Sequence, residues 1–332
     1  MTTSISILGA GSWGTALAIQ AARNDCSTLL WGHDSAKIKK IEQDKKNQRY
    51  LPDIDFPELL HVTDNLEQAV RFSSIILIAV PSHVFKDTLI KIAPFLSRDS
   101  KIAWATKGFD PEDGSLLHAV VGQVLGNHVA TAVMSGPTFA GEVAAKLPTA
   151  ITIASASPLF AMQLTEIYHN QYFRTYTSSD IIGVQVGGAV KNVLAIAAGI
   201  ADGLGFGANT RAALITRGLT EIMRLGTQLG GQHDTFMGLA GLGDLILTCT
   251  DNQSRNRRFG LALGQGKSKQ QAVTEIGQEI EGVSAARETY QLSQKLDIDM
   301  PITEQTYRVL YENLDPRKAV QNLLNRDQKA EV

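Results

Sequence analysis

Three groups of residues in this chain could do chemistry. The first is Gly9-Ala10-Gly11-Ser12-Trp13-Gly14, a G-x-G-x-x-G that follows the apolar run Ser4–Leu8 and opens a helical pattern. In that context Gly9 permits a tight turn, Gly11 lets the backbone approach a pyrophosphate, and Gly14 lets the helix pack on the strand. The helix N-terminus adds N–H groups and a partial positive charge. The pattern points to a dinucleotide. Its ribose partner should stand about 20 residues on, where the sequence has His33-Asp34. An acid there accepts from the 2′-OH of NAD, whereas a cation favours the 2′-phosphate of NADP. His33 ends the next strand and either stacks on adenine or faces that phosphate, and Asp34 could serve as a loop residue. This places NADPH slightly ahead of NADH.

The second group surrounds Lys191, inside the apolar helical stretch Gly187-Gly188-Ala189-Val190-Lys191-Asn192-Val193-Leu194-Ala195. Gly187, Gly188 and Ala195 share its face and are small, so a ligand could approach the ammonium. Burial disfavours a charged lysine and moves it toward the range of proton exchange. The plainer alternative is a snorkelling or ion-paired lysine. Asp244, in Gly241-Leu242-Gly243-Asp244-Leu245, sits in an apolar helix start and needs a partner, for which Lys191 is a candidate.

The third group lies at strand ends and in one polar turn. Lys107 follows the run Ile102–Ala105, at the carboxyl end of a strand where ligands of parallel sheets bind. It is either a ligand contact or a solvated loop lysine. Gly136-Pro137-Thr138-Phe139-Ala140 also ends a strand, with Thr138 a helix cap or a ligand contact. Ser254-Arg255-Asn256 stands between two helices, where Arg255 could hold a phosphate bidentately or belong to an exposed basic turn. The histidines show no metal-binding spacing, and the two cysteines, Cys26 and Cys249, are far apart, so neither metal nor disulfide is expected.

The elements that must position these groups change character along the chain. Apolar runs at Ser4–Leu8, Thr28–Trp31, Ile75–Val80, Ile102–Ala105 and Ala130–Met134 alternate with helical patterns, as in βαβ units of a parallel sheet. Ala150–Ala154 and Tyr172–Tyr176 would extend that sheet. Beyond about residue 180 the patterns are helical: Ile181–Ala201, Asn209–Leu229, Phe236–Thr248, Arg257–Leu263, Val283–Lys295 and Ile302–Tyr311. A last helix starts at Asp315-Pro316, a cap followed by proline at the first helical position. The expected fold is an α/β Rossmann-type dinucleotide-binding domain, residues 1–180, followed by an all-α C-terminal domain, residues 181–332, that carries substrate and catalytic residues.

Composition excludes several classes. With 44% apolar and 19% charged residues the chain can bury a large core. A formal charge of −2 without a lysine or arginine block argues against nucleic acid. Ile181–Ala201 is apolar enough to tempt a membrane reading, but Gln185, Lys191 and Asn192 are costly in lipid, so a buried core helix is expected instead of a span. No signal-peptide pattern opens the chain, and a reducing cytoplasm is expected.

Taken together these segments resemble the bacterial NAD(P)-dependent sn-glycerol-3-phosphate dehydrogenases, from Gly9 to about Leu324. The shared motifs are Gly9–Gly14, Ala105-Thr106-Lys107-Gly108, Ser135–Ala140, Val190-Lys191-Asn192, Gly241–Leu245 and Ser254-Arg255-Asn256. The resemblance implies NADP or NAD as cofactor, with Ser12, Trp13, His33, Lys107, Ala140, Arg255 and Glu281 beside the glycines at its site. Glu281 rests on the resemblance alone. At the substrate, dihydroxyacetone phosphate or sn-glycerol 3-phosphate, it implies Lys107, Gly136, Thr138, Lys191, Asp244, Ser254, Arg255 and Asn256. Lys191 matches the proton donor and acceptor, Asp244 would orient it, and Lys107 would polarise the carbonyl. A homodimer and a role in phospholipid synthesis follow from the same likeness. A ketopantoate or 6-phosphogluconate type reductase shares the two-domain plan, and a non-catalytic dinucleotide sensor would need neither Lys191 nor Asp244.

Overall fold

Runs of isoleucine, leucine and valine too short for helices form the strands of the first unit. In the computed structural model, which describes residues 3–327, the chain divides into two units, Met1–Gln185 and Val186–Val332. The first holds β1 (Ser4–Leu8), β2 (Ser27–Trp31), β3 (Leu60–Thr63), β4 (Ile75–Ile78), β5 (Lys101–Trp104), β6 (Ala130–Ser135), β7 (Thr149–Ser155) and β8 (Phe173–Ser178). Its helices are α1 (Ser12–Arg23), α2 (Ser35–Asp44), α3 (Leu66–Phe72), α4 (Phe85–Ile92), α5 (Leu117–Leu125), α6 (Ala140–Ala144) and α7 (Pro158–Tyr168).

All eight strands form one sheet in the order β3-β2-β1-β4-β5-β6-β7-β8. The first six pair in parallel, and the order reverses between β1 and β4, the point at which such sheets bind ligands. The expected extension of the sheet enters differently: β7 runs antiparallel to β6, and β8 then pairs in parallel with β7. Ile5, Ile7, Leu17, Ile19 and Leu77 lie in the core with no exposed surface. Each such burial contributes roughly 1.5–3 kcal/mol. β3 was not legible in the sequence, being a short edge strand with an exposed His61 at its second position.

The helix α8 (Ile181–Gly203) carries the chain from the first unit into the second. It is long and apolar enough to cross a membrane, yet 89% of its most apolar window is buried inside the protein. There follow α9 (Ala208–Gln228), α10 (His233–Met237), a π-helical turn at Leu239–Gly243, α11 (Asp244–Thr250), α12 (Arg255–Gly264), α13 (Lys269–Ile276), α14 (Glu281–Lys295), α15 (Pro301–Tyr311) and α16 (Pro316–Leu324). Asp315 caps α16, with Pro316 in its first turn, as the sequence indicates. The single helix expected over Phe236–Thr248 is instead three pieces. Gly241 explains part of the break, since a Cβ there would lie 2.1 Å from the Phe236 carbonyl oxygen. The unexpected α13 has a legible start, a capping box between Ser268 and Gln271.

Four glycines bring α8 and α12 into backbone contact. A Cβ on Gly199 would sit 2.1 Å from the Arg257 carbonyl oxygen, and one on Gly203 would sit 2.4 Å from that of Leu261. Reciprocally, a Cβ on Gly260 would lie 2.0 Å from the Ile196 oxygen, and one on Gly264 2.4 Å from that of Ile200. These four pack within one chain.

Gly260→Ala therefore forces backbone against backbone. Overpacking of this kind costs about 1–3 kcal/mol, and a thermal melt should show the transition several degrees lower. Gly141→Ala is the contrast, because nothing lies within 4 Å of its added Cβ, and its transition should hold. An unchanged melt for Gly260→Ala would contradict the packing described.

Candidate active site

The glycine loop divides its labour among three positions. Gly9 leaves β1 with a φ of +124°, and a Cβ there would strike the Ala79 carbonyl oxygen at 2.7 Å. A Cβ on Gly14 would lie 2.0 Å from the Gly9 oxygen, so only glycine lets α1 start so close to the strand. Gly11 is the opposite case, with nothing within 4 Å of its absent Cβ. It is the N-cap of α1, and no side chain caps that helix. Open space before uncapped N–H groups is a cradle that fits a pyrophosphate. Ser12 and Trp13 begin the helix, and the Trp13 Nε1 is buried without a hydrogen-bond partner among the described residues.

At the end of β2 the two ribose candidates separate. Asp34 caps α2, accepting from the Lys37 backbone N–H at 3.1 Å and pairing with the Lys37 ammonium at 2.6 Å. Those bonds to Lys37 hold its carboxyl below the usual range. His33 is left exposed beside it.

Lys107 follows β5 in a turn fixed from two sides. The Thr106 hydroxyl donates to the Val80 carbonyl at 2.7 Å, and Gly108 has a φ of +134° where a Cβ would meet the Ser82 hydroxyl at 2.8 Å. Gly136 lets β7 pass closely, since its Cβ would lie 3.1 Å from the Ile151 Cα. Thr138 does not cap a helix as the sequence had allowed. Its hydroxyl donates to the Gly136 carbonyl at 3.1 Å, while α6 starts at Ala140 with Phe139 as its N-cap.

In the second unit Lys191 is 6% exposed and Asp244 not at all. The Lys191 Nζ donates to Asp244 Oδ1 at 2.6 Å and to the Thr248 hydroxyl at 2.8 Å. Thr248 in turn donates to the Asp244 carbonyl at 2.6 Å. Asp244 is the first residue of α11, immediately after the π-helical turn, a feature common at functional sites. The sequence reading paired the lysine with the acid but missed Thr248, which sits one helical turn beyond Asp244 on the same face. It also misread Gly187. That position is small because the Ala240 carbonyl packs against it, 2.4 Å from where a Cβ would be, and not to admit a ligand. The neighbouring Cys249 is fully buried, and burial pushes its thiol up to about 12, so it offers no thiolate.

Beside the lysine, Asn192 joins three helices. Its carboxamide oxygen accepts from Asn256 Nδ2 at 2.9 Å, and its own Nδ2 lies 3.5 Å from Glu281 Oε2. The Asn256 oxygen accepts from the Gly282 N–H at 2.9 Å. Asn256, expected at a phosphate, is thus engaged through both ends of its carboxamide. Ser254 is buried and caps α12 by accepting from the Arg257 N–H at 3.2 Å. Arg255 begins α12, half-buried, with its Nη1 3.5 Å from Gln278 Oε1. Among the described residues no group of three or more His, Cys, Asp or Glu side chains could hold a metal.

Comparison with known proteins identifies the family. Residues 4–161 match the family described as NAD-dependent glycerol-3-phosphate dehydrogenase N-terminus, and residues 180–321 match its C-terminus. The chain belongs to this family. The chain is 57% identical over its full length to a glycerol-3-phosphate dehydrogenase [NAD(P)+] of Colwellia psychrerythraea, covering 99% of that protein. A crystal structure of glycerol-3-phosphate dehydrogenase from Coxiella burnetii is 50% identical, with a TM-score of 0.95 over 98% of this chain and 99% of that one. A ketopantoate reductase of Ralstonia eutropha shares the fold alone, at 16% identity and a TM-score of 0.60 over 96% of this chain and all of that one. The family's reaction interconverts dihydroxyacetone phosphate and glycerol 3-phosphate with NAD(P)H.

The buried ion pair makes a stability prediction. Removing one partner of such a pair costs about 3–5 kcal/mol, because the other charge stays buried and uncompensated. Asp244→Asn should lower the melting transition strongly, whereas Lys191→Met combined with Asp244→Leu, which removes both charges, should lose much less. Equal losses in the two proteins would mean that the charges are solvated in the folded state.

Proposed function

We propose that this chain interconverts dihydroxyacetone phosphate and sn-glycerol 3-phosphate with NAD(P)H, and that Lys191 moves the proton. The observation that carries the reading is the Lys191 ammonium, buried and fixed in direction by Asp244 and Thr248. An ammonium so held cannot swing toward bulk water. It is held in one direction at the site, which is what a general acid for a developing alkoxide requires.

The residues fit the cofactor on the evidence of the open cradle at Gly11 and the uncapped start of α1. Gly9, Gly11, Ser12, Trp13 and Gly14 hold the pyrophosphate half, and His33 stands at the adenosine ribose. Ala140 and Glu281 are assigned to the cofactor through the family motifs. Bound nicotinamide supplies the hydride that C2 of the ketone receives. Lys191 gives its proton to the C2 oxygen, or takes it in the reverse direction, while Asp244 and Thr248 keep the ammonium aimed. Lys107 is assigned to the substrate carbonyl through the family motif Ala105-Thr106-Lys107-Gly108. Gly136 and Thr138 line the substrate at the end of β6, and Ser254 and Asn256 shape the turn from which Arg255 binds the phosphate. Binding at the phosphate positions a carbonyl several bonds away, so affinity is converted into orientation. We further infer a cytoplasmic homodimer that prefers NADPH and supplies glycerol 3-phosphate for phospholipid synthesis.

Two outcomes test this. Losing a positioned general acid costs about 10²–10⁴ in rate, so Lys191→Met, assayed below its own lowered melting transition, should lose that much turnover with dihydroxyacetone phosphate while keeping nicotinamide fluorescence on binding NADPH. Ketopantoate should be inert with wild type. A folded Lys191→Met protein with more than about a tenth of wild-type turnover would refute the assignment. For the cofactor, His33→Asp places an anion where the 2′-phosphate would lie, and should raise KM for NADPH more than for NADH. Equal effects on both would leave His33 as a stacking residue only.

A further inference from the structure

Arg257 has no part in the mechanism above, yet it is only 7% exposed and its guanidinium is committed on every side. Its Nε donates to the Cys249 carbonyl at 3.0 Å, at the end of α11. Its Nη1 donates to the Asn252 side-chain oxygen, in the turn that follows. Its Nη2 donates to Asp202 Oδ2 at 2.5 Å, near the end of α8. Asp202 also receives Arg211 of α9 through both oxygens, at 3.0 and 2.9 Å. The Arg257 backbone N–H meanwhile bonds the Ser254 hydroxyl.

These contacts bracket one short segment. Between Cys249 and Arg257 the chain leaves α11, turns through Asp251–Ser254 with the Ser254 N–H on the Asp251 carbonyl at 3.2 Å, and re-enters α12 at Arg255. Within the turn Asn252 and Gln253 are exposed, while Ser254 is buried and is itself bonded to the Arg257 N–H. One buried cation therefore ties the turn to α8 and α11 from one side, as Asn256 ties the start of α12 to Asn192 and Gly282 from the other, and Arg255 departs between them. Arginine suits this because its planar fork sends donors to separated acceptors at once, which the compact ammonium of lysine cannot.

Resting on the reading that Arg255 binds the substrate's phosphate, we propose that Arg257 is the positioning residue for that contact, with Asn252 as its hold on the turn. Together they set the preference for phosphorylated over unphosphorylated ketones. A shift of about 1 Å in a positioning contact can cost as much as 10²-fold, so loosening this turn should be visible in substrate affinity.

The test compares Arg257→Lys and Asn252→Ala, with Arg255→Lys alongside, using dihydroxyacetone phosphate, unphosphorylated dihydroxyacetone and inorganic phosphate as a competitor. Asn252 is exposed, so its variant keeps the fold even where Arg257→Lys is destabilised. KM for dihydroxyacetone phosphate should rise about tenfold in both, with kcat changing far less. The kcat/KM ratio between the two ketones should fall by the same factor, and inorganic phosphate should inhibit more weakly. A purely structural role predicts the reverse split: a lower melting transition and lower apparent kcat for both ketones, with KM and phosphate inhibition unchanged. That result overturns the proposal. Should Arg255→Lys weaken phosphate recognition while the other two variants do not, only the positioning role falls. Should Arg255→Lys leave affinity for the phosphorylated ketone intact, the assignment of Arg255 falls, and the proposal with it.

Discussion

A lysine ammonium taken out of water needs a counter-charge and hydrogen-bond acceptors close by, or it gives up its proton. Much of the second unit answers that need. Asp244 supplies the charge and Thr248 a second acceptor, and both project from α11. For α11 to begin where it does, the chain passes through the π-helical turn at Leu239–Gly243, whose Ala240 carbonyl packs against Gly187, one turn before Lys191 on α8. The glycine is thus part of the ion pair's geometry, although it touches neither charge. Asn192, the next residue along, ties the same helix to α12 and α14 through Asn256.

The first unit depends on a different economy, in which backbone groups do the work that side chains do around Lys191. Gly9 and Gly14 are needed because other protein atoms come too near, whereas Gly11 faces open space into which a pyrophosphate fits. The G-x-G-x-x-G pattern is one line of sequence, but its three glycines obey opposite constraints. That is why it is readable: at Gly9 and Gly14 the fold tolerates so little else.

Legibility elsewhere followed the same logic. The sheet strands were plain because Ile75–Ile78 and its neighbours are continuous apolar runs buried on both faces. Edge strand β3 and the antiparallel entry of β7 were not, since an exposed edge has no such pattern and a buried run reads alike in either direction. Lys191 and Asp244 stood out as charges among apolar residues. Thr248 did not, because a threonine in an apolar helix is unremarked until its partner is seen. Asp34 was ambiguous for a similar reason, since an aspartate suits a helix cap and a ribose equally, and the structure uses it for the cap. Gly187 shows the converse error, in which a plausible local role gave way to packing visible only in three dimensions, while at Thr138 only the helix-cap alternative falls. Arg257 was passed over beside Arg255 and Arg258, because burial distinguishes them and spacing does not.

The reciprocal glycines of α8 and α12 also bear on how the second unit can move. Helices that touch through side chains can slide or tilt as rotamers readjust, but where carbonyl oxygens occupy the space of a missing Cβ there is nothing soft between them. Lys191 rides on one of these helices and the Ser254–Asn256 turn opens the other. Thermal fluctuations of the two should accordingly be correlated, with the distance from ammonium to turn acting as a fixed length.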